Sequence, residues 1–273
     1  MKCFYHNDAD GKCAAYWVYK EYDDVDFIEI NYNKKFPLDS IEQGESVWIV
    51  DYSIEVEEMK KLLEVTEYVT WIDHHITAIE KYGDFGKDIP GMRISGIAGC
   101  MLTYIYIHKK GITAGIREAP LFTTLIADWD VWDLNYGDDT KYFITAFDAY
   151  NPQIGDRFWD RLEENTFVWD MVKEGEIMTK FRDGYAASLI KSFGFELEFE
   201  GYNCFAMNAG KFSSEFFKSL NKDYDILIPF IYDGSIFTVS LYSSTVDVSK
   251  IALKYGGGGH KGAAGFQIKT FPI

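Results

Sequence analysis

Apolar and polar positions alternate along this chain in two rhythms. Short strand-like runs at 2 to 6, 25 to 30, 47 to 52 and 68 to 73 are separated by segments of helical spacing at about 11 to 22 and 54 to 65. Alternation of strand and helix predicts a parallel sheet with helices on both faces. Over 54 to 65, Glu55, Glu57 and Glu58 crowd the first turn and Lys60 and Lys61 lie further along, as the helix dipole favours. The apolar stretches at about 97 to 109 and 117 to 127 predict buried helices, with Gly111 as the stop of the first.

From Asp156 to Lys191 the pattern lengthens, with Phe158, Leu162, Val168, Met171, Ile177 and Phe181 spaced among charged residues. This predicts helices joining two domains. Strand-like alternation then resumes over 195 to 207, 226 to 232 and 236 to 242, where Asp233-Gly234 supplies a hairpin turn. The chain therefore divides into an α/β domain at 1 to 150, a helical linker at 151 to 191 and a smaller α/β domain with a mixed sheet at 192 to 273.

Composition narrows the class. The 273 residues are 47% hydrophobic and 17% aromatic, enough to bury a sizeable core in each of two domains. No apolar run reaches the length of a membrane span or signal peptide, which predicts a soluble cytoplasmic protein. Cys3, Cys13, Cys100 and Cys204 are scattered without a C-x-x-C pair, so neither a structural zinc site nor a disulfide framework is expected. The net charge is -16, and residues 190 to 273 hold equal numbers of Lys and of Asp or Glu, so the excess lies in the first 189 positions. Such a surface disfavours long duplex nucleic acid, which is held through clustered Lys and Arg.

Within that acidic part, ionisable residues cluster at the ends of apolar runs. His6, Asp8 and Asp10 alternate before Gly11, Asp51 follows Val47 to Val50, Asp73-His74-His75 follows Val69 to Ile72, and Asp128 and Asp130 follow a helical stretch. The carboxyl ends of parallel strands are where open α/β sheets place their ligands. Carboxylate oxygens combined with imidazole nitrogens suit Mn²⁺, with Mg²⁺, Fe²⁺ or Co²⁺ as alternatives. Taken singly, the hexapeptide from His6 is also compatible with a solvated acidic turn, Asp51 with a helix cap, and Asp130 with a solvated loop. Near the C-terminus, Gly256 to Gly259 followed by His260 and Lys261 offers backbone and side-chain donors to a phosphate, or simply a hinge.

In this order H-x-D-x-D-G, a strand-terminal D, D-H-H and a later D resemble the motifs of the DHH phosphoesterase superfamily. Gly256 to Phe266, reading GGGGHKGAAGF, resembles the signature of the associated DHHA1 domain. The resemblance implies a binuclear centre with His6 and Asp8 near one metal, Asp10, His74 and Asp128 near the other, and Asp51 bridging. It further implies that His75 faces the scissile phosphate and that Gly257, Gly258, Gly259 and His260, with Lys261 beside them, hold substrate. Asp73 is expected to orient His74, and Asp128 is chosen over Asp130 because it directly follows Ile126-Ala127. His6, where RecJ-type members carry aspartate, resembles the branch that includes short-oligonucleotide ribonucleases. Many DHHA1 domains carry S-L-R-S where this chain reads Ser240-Leu241-Tyr242-Ser243, so Tyr242 is expected to stack on a base where an arginine would grip phosphate.

The expected activity is two-metal hydrolysis of very short oligonucleotides or dinucleotides, with His75, Asp51 and Asp73 as catalytic residues. A nucleotide-phosphate or pyrophosphate hydrolase on the same fold, and a nucleotide sensor without turnover, are the alternatives. A homodimer is compatible with the chain.

Overall fold

The computed structural model describes residues 1–32, 35–210 and 214–270. The chain forms two compact units, Met1–Met178 and Thr179–Ile273.

The first unit is built on four parallel strands, β1 (Lys2–His6), β2 (Asp26–Ile30), β3 (Val47–Val50) and β4 (Val69–Ile72), in the order β2-β1-β3-β4. The strands β1, β3 and β4 bury both faces. Cys3, Tyr5, Trp48, Val50 and Ile72 enter one hydrophobic cluster, whereas Phe4, Val47, Ile49, Val69 and Trp71 enter another on the opposite side. This is why these strands read as near-continuous apolar runs. Helices α1 (Ala9–Glu21), α2 (Val56–Val65), α3 (Ile76–Lys87), α4 (Gly99–Ile107), α5 (Ile112–Glu118), α6 (Leu121–Asp130), α7 (Asp138–Tyr150) and α8 (Arg157–Leu162) follow in chain order. The helices α1, α4, α6 and α7 cover the first face, and Met59 and Leu62 of α2 with Tyr82 of α3 cover the second.

Residues 151 to 191 form α8 and most of α9 (Asn165–Phe193), and the division between the units falls inside α9. Trp159, Leu162, Val168, Met171 and Val172 are buried in the core of the first unit, while Ala186 and Ile190 join a cluster of the second. The helical segment thus carries core residues for both units.

The second unit is a six-stranded mixed sheet of β5 (Gly194–Phe199), β6 (Tyr202–Asn208), β7 (Ile226–Tyr232), β8 (Phe237–Tyr242), β9 (Gly258–His260) and β10 (Ala263–Ile268), ordered β5-β6-β7-β8-β10-β9. Its parallel pairing among the described residues is β6 with β7, and α10 (Val248–Lys254) packs Val248, Ile251 and Ala252 on one face. The alternating run at 195 to 207 is a hairpin rather than one strand. Glu200 and Gly201 turn it, both with positive φ (54° and 81°), the geometry that matches strand twist. Among the described residues, no helix is long and apolar enough to cross a membrane.

Candidate metal centre

Strand order alone selects a place for a site. The chain leaves β1 toward β2 on one side and returns to β3 on the other, so the order reverses between the carboxyl ends of β1 and β3, where open sheets form a crevice. The register pairs Tyr5 with Val50 and Val50 with Ile72, which sets the next residues, His6, Asp51 and Asp73, abreast at that rim.

The chain then departs from each strand in a way that exposes ligands. After β1, Asp8 caps α1 by accepting from Gly11 N at 2.9 Å, which leaves its other oxygen 2.6 Å from His6 Nδ1. A Cβ on Gly11 would lie 2.1 Å from the His6 carbonyl oxygen, so only glycine permits this turn. After β3, Asp51 adopts φ 50°, a left-handed conformation that aspartate tolerates better than most residues. Asp10, on the first turn of α1, accepts from Gly99 N at 2.7 Å and Cys100 N at 2.8 Å and so lies at the amino end of α4, where the helix dipole favours a carboxylate.

The clusters meet at Asp51. Its Oδ2 lies 3.8 Å from His6 Nδ1, and its Oδ1 lies 3.3 Å from His74 Nε2. His74 Nε2 is also 3.3 Å from Asp130 Oδ2 and 3.8 Å from Asp10 Oδ2. Among the described residues three groups have donor atoms close enough to share an ion: His6 with Asp8 and Asp51, Asp10 with His74 and Asp130, and Asp51 with Asp73, His74 and His75. Asp73 and His75 are already engaged with each other, and Asp51 turns one oxygen to His6 and the other to His74.

Electrostatics and hydrogen bonding both fit cations here. Burial, reinforced by Asp10, Asp8, Asp130 and Asp73, pushes the Asp51 carboxyl well above the usual range. Burial with Asp10 and Asp8 raises Asp130 to about 8, against the opposing pull of His75. Among the described residues, the buried side-chain oxygens without a hydrogen bond are Asp51 Oδ1 and Asp130 Oδ2, and both face this centre. Buried polar atoms are otherwise nearly always paired, so unpaired carboxylate oxygens beside imidazole nitrogens match the donor set of a divalent cation.

Two expectations are corrected by the geometry. Asp128 does not face the cluster: its oxygens accept from Asn135 N at 2.8 Å and Tyr136 N at 3.4 Å in the loop that leads to α7, and from Thr140 Oγ1 in the first turn of α7. Asp130, one half-turn on, supplies the carboxylate. Asp73 orients His75 rather than the His74 ring. Its Oδ1 lies 2.7 Å from His75 Nδ1 and accepts from the backbone N–H groups of His74 and His75 at 2.7 and 3.3 Å, while Ser53 donates to Oδ2. Although burial alone would raise it, these bonds hold the wholly buried Asp73 carboxyl below the usual range. The Asp73 hydrogen bond in turn raises the His75 imidazole.

Residues that the sequence did not single out complete the centre. A Cβ on Gly99 would lie 2.7 Å from Asp51 Cβ and 3.0 Å from Asp10 Oδ2, so α4 approaches this closely only through a glycine. Ser53, which donates to Asp73, carried no motif for the centre, and its signal is proximity to the β3 end, which only the register reveals; Tyr32, after β2, stands beside the centre and is no part of its donor set.

In the second unit, Gly256 and Gly259 have φ of 77° and 137°, and Gly257 N donates to Ala252 O at 2.9 Å. The glycine run therefore ends α10 and opens the β9–β10 hairpin. Gly258, Gly259, His260 and Lys261 are exposed, and Tyr242 is half-buried on β8 opposite Ala263.

No family model matches the sequence. The oligoribonuclease NrnB of Bacillus subtilis is 24% identical over 300 residues, spanning 96% of this chain and 71% of its own length. The structure of a pGpG-specific phosphodiesterase, PggH, from Vibrio cholerae superposes with a TM-score of 0.55 at 13% identity, over 98% of this chain and 93% of its own. The DHH domain of a member of a ribosomal-protein family gives a TM-score of 0.55 at 15% identity, over 99% of this chain and 82% of its own. At these identities the solved structures establish the fold.

Proposed function

We propose that the chain is a phosphoesterase of the DHH/DHHA1 type, a divalent-metal-dependent phosphodiester hydrolase of very short oligonucleotides, dinucleotides included, a reading supported by its motifs and by its likeness to NrnB and PggH. The observation that carries this reading is the Asp51 carboxylate, with one oxygen toward His6 and the other toward His74. His6, Asp8 and Asp51 would hold one cation, and Asp10, His74 and Asp130, with the other oxygen of Asp51, would hold a second. Bound divalent cations supply Lewis-acid polarisation of the phosphate and activation of water near neutral pH. The mixed carboxylate and imidazole donors favour Mn²⁺.

The protein's own contribution to the reaction centres on His75. With Nδ1 engaged by Asp73, the proton on Nε2 is available to a nonbridging phosphate oxygen, and the raised pKa keeps the ring protonated further into the neutral range. A donor placed where negative charge develops contributes on the order of 3 kcal/mol to the transition state. Short substrates fit the charge of the chain, since a net charge of -16 disfavours the binding of a long phosphate backbone. Within the second unit, the exposed glycine hairpin with His260 and Lys261 offers donors to a phosphate, and Tyr242 offers an aromatic face.

The test is titration with Mn²⁺ alongside hydrolysis of di- and pentanucleotides. Asp51→Asn, which tolerates the left-handed backbone while removing the bridging charge, is expected to lower metal stoichiometry and abolish turnover together. Full stoichiometry with retained turnover would overturn the assignment.

A further inference from the structure

Beside the metal centre, inside the first unit, lies a cavity of about 390 Å³ for which the hydrolytic residues have no use. His75 forms one wall, and Tyr32, Ile54, Lys81 and Tyr82 form others. Tyr32 is the unusual member. It is 55% exposed, yet its ring is fixed: it stacks on buried Tyr52 with centroids 4.5 Å apart and planes at 27°. The backbone beneath it is fixed as well. Tyr32 N donates to Asn31 Oδ1 at 2.7 Å, and Asn31 Nδ2 donates to Asn7 Oδ1 at 3.0 Å, which ties the ring to the loop that carries His6 and Asp8.

The location relates this ring to the chemistry. Tyr32 is edge-on to His75, with centroids 6.4 Å apart and planes at 76°, and lies 5.6 Å from the His6 ring. A phosphate at His75 would therefore have an ordered, exposed aromatic ring as its neighbour, at a separation that a single nucleoside bridges. The walls also select the kind of group that enters. Lys81 is ion-paired to Glu55, so the cation at this wall is already matched, which favours a neutral planar group over a second phosphate. Every nucleobase presents a π-face to such a platform, and stacking tolerates base identity.

We propose that Tyr32 and this cavity form a nucleobase subsite for the nucleoside attached to the scissile phosphate. The assignment rests on the hydrolase reading only for the position of that phosphate. Nothing in the four metal-binding motifs or the glycine hairpin includes Tyr32, and it gives the metal-bearing unit its own means of distinguishing a nucleotide from a bare phosphate.

The test measures binding rather than turnover. Full-length protein loaded with Mn²⁺ is titrated calorimetrically with AMP and with ribose 5-phosphate, for the wild type and for Tyr32→Ala, Tyr32→Phe and Tyr32→Trp. Wild type should prefer AMP by about 5- to 150-fold, the range that stacking one base supplies. Tyr32→Ala should lose most of that preference while binding ribose 5-phosphate unchanged, and the Phe and Trp variants should keep it. Equal affinity of wild type for both ligands, an unchanged preference in Tyr32→Ala, or equal weakening of both ligands would overturn the subsite. Dinucleotide hydrolysis is assayed separately. A wild type without turnover but with a Tyr32-dependent preference removes the hydrolase reading and keeps the subsite; turnover with a Tyr32-independent preference does the reverse.

Discussion

Asp128 and Asp130 lie two residues apart on α6, and a helix advances about 100° per residue, so their carboxylates leave on opposite sides. One faces Asp10 and His74; the other fastens the loop to α7, where Trp132 and Leu134 hold left-handed φ values of 59° and 50°. The two alanine variants should therefore separate cleanly. Asp130→Ala should weaken Mn²⁺ binding in calorimetric titration without lowering metal-free melting near pH 8, since it relieves the charge conflict among the buried carboxylates, whereas Asp128→Ala should keep metal stoichiometry and lose on the order of 2 kcal/mol in denaturant unfolding. That both residues were candidates could be read from the acidic motif. Which one faces the site depends on the phase of α6 against the sheet, a tertiary quantity that two identical side chains cannot encode. The Asp73–His75 pair gives a second test at this scale. Asp73 raises the His75 pKa, so the stabilisation is fully present below the unfolded histidine value of about 6.5 and is lost as pH rises through the raised one. Replacing Asp73 by Asn should move the alkaline limb of a dinucleotide hydrolysis profile to lower pH, and an unmoved limb would remove His75 as the proton donor.

Among the elements, the strands were legible because burial on both faces turns β1, β3 and β4 into apolar runs that end at His6, Asp51 and Asp73. The helices α3, α5 and α7 were not. Gly83 interrupts α3 with φ 53°, α5 has only seven residues, and α7 begins at Asp138 and Asp139 within a stretch that reads as generally acidic. The Glu200-Gly201 turn was present in the sequence but buried in an unbroken alternation, so β5 and β6 read as one strand. A less visible dependence is that of the centre on α4. Its amino end approaches Asp10 and Asp51 only because position 99 has no side chain, and nothing in the local pattern marks that glycine as part of a metal site. Gly99→Ala should push α4 from the rim, costing about 1 to 3 kcal/mol as overpacking does and lowering Mn²⁺ affinity at the same time. Gly44→Ala, a surface glycine with φ 74° and no neighbour within 4 Å of an added Cβ, serves as a control that should lose stability without losing metal affinity.

At the scale of the whole molecule, the acidic excess of the first unit converges on a centre that cannot ionise fully by itself, and this couples folding to both pH and metal. Asp130 is raised to about 8 in the folded chain, against about 3.9 for an unfolded aspartate. Between those values the folded state binds a proton that the unfolded state has released. Stability must then fall as pH rises through the window, and the raised Asp51 and His75 pull in the same direction. The depressed Asp73 acts oppositely, but its stabilisation is already complete above the unfolded aspartate value and is lost only on acidification. Divalent cations bind the ionised carboxylates, so their stabilising effect grows where the metal-free chain weakens. Melting curves from pH 5 to pH 8 should show the metal-free protein declining in Tm, and saturating Mn²⁺ should flatten or reverse that slope. Asp51→Asn should melt higher than wild type without metal near pH 8, because a buried charge conflict is relieved, and should gain little from Mn²⁺. A wild-type Tm that is independent of pH over this range without metal, or an Mn²⁺ increment that shrinks toward pH 8, would mean that these carboxylates do not form a cation-dependent cluster.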